Sequence, residues 1–193
     1  MGSEAERALV ALYAQASPAV RRRGRSWYPE TQRKLRGIAE RTGATQAHAA
    51  AVFAIVSPMV QVMTALEWTE QILAGERHYG AFHRQALAIE RVLASGYPRR
   101  HVSGPKVSAF YRAIQGDREA LVIDRWAAYA AGHPTRGSNI PRAVWREIDA
   151  AYRAAAAAVG ETVRAFQAIV WIVIRESTPT AAGFVPKLRD VTA

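Results

Sequence analysis

The sequence has no cysteine. That excludes disulfides, thiolate zinc sites and cysteine-ligated iron–sulfur clusters. Lysine is almost missing as well: Lys34, Lys106 and Lys187 are the only three, so 23 of the basic residues are arginines. Long apolar runs are absent. The stretch AIVWIVI at 168–174 has seven residues, against the ~20 needed by a membrane-spanning helix. Acidic residues come early in MGSEAERALV, which is not the layout of a signal peptide. These absences predict a soluble, cytoplasmic protein with no membrane partner. There is no Walker loop, no dinucleotide fingerprint and no G-x-S-x-G elbow. The five histidines, His48, His78, His83, His101 and His133, stand at no convincing metal-ligand spacing, so neither a metal nor a cofactor is expected.

What the sequence does have is apolar mass and positive charge. Half of its 193 residues are hydrophobic, enough to bury one core or two small ones. Lys plus Arg number 26 against 16 acids, a formal net charge of +10. An excess of that size points to a polyanionic partner, nucleic acid first. Codon bias in a GC-rich genome accounts for arginine over lysine, but not for the excess.

Helical signals run the length of the chain. Ser3 with Glu6 forms a capping box before EAERALVALYAQA. Ser17-Pro18 closes that helix, and RRRGRSWYP at 21–29 reads as a basic turn with two aromatics. A helix over 29–42 stops at Gly43. Thr45 caps the next, to about residue 56. Ser57-Pro58 caps a further one, to Leu73, and another covers 79–95. After the turn YPRRHVSGP, the spacing predicts a helix from Lys106 to Gln115 and a short one capped by Asp124. HPTRGSN is loop. Pro141 fits the first turn of a long helix ended by Gly160, Thr162 opens the last strong one, and the tail after Ser177 reads as irregular. Strand alternation is missing, since LVI at 121–123 is too short to count. The expected fold class is all-α with roughly nine helices.

Lys106 follows a Ser-Gly-Pro turn, and Asp124 lies eighteen residues on, in GPKVSAFYRAIQGDREALVIDRW. This stretch resembles the helix-hairpin-helix DNA glycosylase superfamily, HhH-GPD. Aligned without gaps, Lys106 falls on the family's catalytic lysine and Asp124 on its invariant aspartate. FAIVSPMVQ at 53–61 looks like the family's LSxQ helix junction, which lines the DNA-facing cleft. The resemblance implies a two-lobed helical fold. Its central lobe would be 29–120, with the hairpin at 99–107, and residues 1–28 plus 121–193 would form the second. It implies DNA as partner, held by its phosphates and through an extruded base, with the chemistry in a cleft between the lobes. Lys106 would be the nucleophile or Schiff-base former and Asp124 its electrostatic partner. Arg99, Arg100, Val102, Ser103, Gly104 and Arg125 would contact DNA. Ser57, Pro58, Met59 and Trp126 would line the pocket.

The chemistry behind that implication is ordinary. Cleaving a glycosyl bond builds positive charge on the sugar, which a carboxylate stabilises. An amine can attack C1′ and pass to a Schiff base. A turn followed by a helix start points amides at a phosphate. The chain departs from the family at the hairpin, where Val102 replaces a glycine and Pro105 lacks an amide, and at Met59, where a glutamine is expected. Three readings stand: an enzyme acting on a base or its glycosidic bond, a non-catalytic DNA-binding protein on the same fold, and an enzyme of phage DNA base hypermodification. The last rests on GRSWYPE, IVSP, SGPK and VIDRW, which look like a group of small phage-encoded proteins; its location would be the host cytoplasm.

Two plainer readings complete the set. Asp124 serves as a helix cap under any of the three. Trp27 and Tyr28 beside RRRGR suit base stacking, but plugging the core is the preferred role. Trp68, Trp126, Trp145 and Trp171 sit in helical patterns and read as core, with Trp126 also a candidate pocket wall.

Overall fold

A computed structural model describes residues 2–58, 60–76, 83–133 and 140–177. Among these, all regular structure is helical: nine α-helices and one 3-10 turn, with no strand. The chain is all-α. The loop HPTRGSN beyond His133 and the tail after Ser177 lie outside the described residues. No single helix among the described residues is long and apolar enough to cross a membrane.

Local chemistry sets most boundaries. α1 (Glu4–Gln15) begins where the Ser3 hydroxyl accepts the Glu6 amide at 3.1 Å. The next helix differs from the expected basic turn. α2 (Pro18–Thr42) runs unbroken through 21–29. Pro18 occupies its first position, where no amide is lost, and Ser17 Oγ accepts the Val20 amide at 3.2 Å. Gly24 and Pro29, both helix-weakening residues, are carried inside it. The reason at Gly24 is tertiary: α2 crosses α9 (Val163–Ser177) so closely that a Cβ there would lie 2.3 Å from Ile169 Cγ1 and 2.8 Å from its Cα.

The chain divides into two compact units, Met1–Tyr28 with Arg118–Ala193 and Pro29–Asp117. The boundary falls inside α2. In the first unit, α1, α7 (Arg125–Ala130), α8 (Arg142–Ala158) and α9 share one core. Phe166 is its centre. It stacks on Tyr13 at 5.5 Å and meets Tyr152 edge-on at 5.9 Å. Pro141 caps α8 rather than entering its first turn, one position from expectation. Just past α8, Glu161 accepts the Tyr13 hydroxyl at 2.8 Å and Arg25 Nε at 2.9 Å. Burial and that bond push the Tyr13 hydroxyl pKa up.

The second unit is built round one helix. α3 (Gln46–Val56) has every residue from Ala49 to Val56 buried, as a helix apolar on all sides requires. Thr45 caps it by accepting the His48 amide at 3.2 Å. α4 (Val62–Leu73), α5 (His83–Ala94), the 3-10 turn (Pro98–His101) and α6 (Pro105–Ile114) pack around it. His48 Nε2 lies 3.0 Å from the Ser95 carbonyl, and Gln85 donates to the Ile55 carbonyl at 3.2 Å. Ser57 does not cap α4. Its hydroxyl turns back to donate to the Ala54 carbonyl at 3.3 Å, and α4 starts later, after Gln61.

The tryptophans divide. Trp126 is buried, whereas Trp68, Trp145 and Trp171 are half-buried at the rim rather than in the core, as is Trp27. An indole is large enough to fill a core edge and still meet solvent.

Candidate functional site

The hairpin that carries Lys106 lies wholly in the second unit. α5 ends at Ala94, and Ser95 Oγ accepts the Tyr97 amide at 3.0 Å. The 3-10 turn then presents Arg99 and Arg100 to solvent. Val102 is buried, with its amide bonded to the Arg99 carbonyl at 3.3 Å and its own carbonyl accepting the Ser108 hydroxyl at 3.2 Å. Both of its backbone groups thus take part in closing the turn, and its buried side chain anchors it. Gly104 has φ 84°, a left-handed conformation that a side chain disfavours. It turns the chain into α6, which has no side-chain cap. Ser103 is exposed, and Lys106 stands half-buried in the first turn of α6.

Arg99 and Arg100 are neighbours in sequence but serve different surfaces. Arg100 joins Arg91, His101, Ser103, Leu87 and Ala88 around a depression of about 320 Å³. Among the described residues, no carboxylate lines it. Arg100 also lies over the ring of Tyr97, 4.9 Å from its centroid, and Tyr97 is 68% exposed. Arg99 instead faces Tyr111, Arg112, Gln115 and Asp117 across an open depression of about 390 Å³. There Asp117 is engaged by Arg112 Nε at 2.9 Å. Burial raises the Tyr111 pKa, and the Arg99 charge opposes that rise.

Asp124 belongs to the first unit and caps α7. Its Oδ1 accepts the Trp126 amide at 3.0 Å and the Ala127 amide at 2.8 Å. Asp124 itself has extended backbone before the helix start, and the cap is the one the sequence indicated. Its negative charge is felt by the buried hydroxyls of Tyr28 and Tyr152; burial chiefly, and Asp124 next, push both pKa values well up. Arg125 places its guanidinium 5.1 Å from the Trp126 ring centre.

Of the remaining pocket residues, Ser57 and Pro58 are half-buried at the end of α3, and Met59 lies outside the described residues. His101 follows Arg100 in the same 3-10 turn, whereas Leu87 and Arg91 have no local mark as its partners: they meet it because α5 packs against that turn, a tertiary contact. Among the described residues, no group of three His, Asp or Glu side chains converges to hold a metal.

No curated protein and no solved structure matches the chain. The model of DUF7178, described as a family of unknown function, matches residues 2–178, and the chain belongs to that family.

Proposed function

We propose that the chain is a DNA-binding protein that holds the phosphate backbone on the hairpin of its second unit and acts on a nucleobase or its glycosidic bond. The observation that carries this reading is the set of Arg91, Arg100 and His101 round one depression that no carboxylate lines among the described residues, beside the start of α6, which has no side-chain cap. Arginines neutralise phosphates and release their counterions. Free amides at a helix start add directional bonds to phosphate oxygens. Lys106 sits in that same first turn. Its amine nitrogen would form a bond to C1′ as the bond to the base breaks, the base leaving with a proton. Asp124 would offset the charge that builds on the sugar. An HhH-GPD-like fold belongs to this reading.

Borohydride trapping on duplex DNA with an abasic site tests it. A trapped adduct that disappears in Lys106→Ala is the expected result. Arg91→Gln and Arg100→Gln should each weaken binding and lower the salt slope by about one. Absence of DNA binding at low salt would sink the reading.

A second reading, a non-catalytic DNA-binding protein, is favoured by one observation. The Asp124 Oδ1 accepts the Trp126 and Ala127 amides and so caps α7, a role that needs no chemistry. Salt-sensitive binding without trapping would select it. Turnover confined to DNA carrying modified thymines would select base hypermodification instead.

A further inference from the structure

Five side chains of the first unit stand in file. Trp27 on α2 lies 6.4 Å from Trp171 on α9, between ring centroids. One turn further along α9, the Arg175 guanidinium lies 5.7 Å from the Trp171 ring and 5.2 Å from the Trp126 ring. Arg125 then lies 5.1 Å from Trp126. The order is Trp27, Trp171, Arg175, Trp126, Arg125. Three guanidinium–ring contacts therefore fall within one file. Trp27, Trp171, Arg175 and Arg125 are all half-buried, and so partly open to solvent.

The arginines in this file differ from others nearby. Arg23 pairs with Glu176 and Arg25 with Glu161. Arg125 and Arg175 form no ion pair among the described residues. A guanidinium lying over a ring uses its face and keeps its in-plane N–H edge for an anion. The file therefore offers aromatic surface together with positive charge that no ion pair among the described residues offsets. Cationic ligands are repelled by it. A ligand with flat rings and regularly placed negative charges matches both features.

We propose that the file is a site for single-stranded nucleic acid, with unstacked bases on Trp27 and Trp171 and the flanking phosphates on Arg125 and Arg175. A duplex hides its base faces in the stack, whereas a single strand can splay them onto aromatic side chains. The site uses no hairpin residue, so the two can fail separately.

The test measures binding of an oligothymidylate of about 12 nucleotides, within the range such grooves cover, with quenching of tryptophan fluorescence as the readout. Trp171→Leu should weaken binding about tenfold or more, the fold-change expected for one lost stacked base, and should reduce the quenching. Arg175→Gln, a change at the rim that spares the core, should weaken binding and flatten its salt dependence. Circular dichroism of both variants checks the fold. Unchanged affinity in both variants would overturn the proposal, as would quenching that is undiminished at saturation in Trp171→Leu. Binding to vesicles of anionic lipid but not to the oligonucleotide would overturn it in favour of a membrane surface. Arg100→Gln should leave oligothymidylate binding intact; loss of duplex binding alone in that variant counts for the hairpin, and absence of duplex binding with the oligonucleotide still bound counts against the hairpin only.

Discussion

The two units solve the same packing problem in opposite ways. The first assembles its core from amphipathic helices and fills the centre with rings, Tyr13, Phe166 and Tyr152. The second surrounds a single alanine-rich helix, α3, whose Ala49 to Phe53 are fully buried. Rings supply contact area through a few large side chains, so losing one leaves a hole. Alanines supply closeness between backbones, so adding atoms to one forces neighbours apart. The first core should be sensitive to deletion and the second to insertion.

Phe166→Ala should show the largest effect. The residue is fully buried, and removing such a ring costs about 3–5 kcal/mol, read as a lowered denaturation midpoint. Ala51→Leu should follow, at about 1–3 kcal/mol from overpacking. If Ala51→Leu were tolerated while Phe166→Ala was not, the contrast between the cores would stand on one leg only. The helix caps sharpen it at smaller scale. Asp124→Ala removes the acceptor of two amides, and Thr45→Ala the acceptor of one. Each loss is about 1 kcal/mol, with Asp124 the larger, and Asp124→Asn should recover most of it. Smallest is the surface pair of the second unit. Arg41 Nε lies 2.6 Å from Glu70 and holds that carboxyl below its ordinary value. A depressed carboxylate stabilises the fold above its unfolded pKa, and the gain is lost as pH falls through the folded one. Glu70→Gln should therefore remove a slight stabilisation that is present at neutrality, and with it the loss below about pH 4, leaving the stability in acid unchanged.

Much of this fold can be read locally. Ser3, Thr45 and Asp124 cap helices through a hydroxyl or carboxylate that reaches an amide two or three residues on, and such a signal needs no tertiary information. The 21–29 segment could not be read that way. Gly24 and Pro29 break helices by propensity; the close approach of α9 accounts for the glycine at 24, and nothing in the structure accounts for Pro29. The interface residues follow the same division. Gly104 and Lys106 are marked by their own turn. Arg91 and Arg100 share a depression only because α5 packs on the 3-10 turn, and Arg99 and Arg100 face apart because a 3-10 turn rotates successive side chains by about 120°. In the aromatic file, Trp171 and Arg175 are four apart and legible as one helix face. Trp126, on a different helix, is not.

Gly24 has a reach beyond its own contact. Trp27 lies three residues along α2 from it, and Trp171 two residues along α9 from Ile169. The distance between the two indoles is thus metered by a missing methyl group. A side chain at position 24 would wedge the helices apart and widen the spacing at which aromatic surface is offered, so a position that touches no ligand sets the gauge of the surface that would.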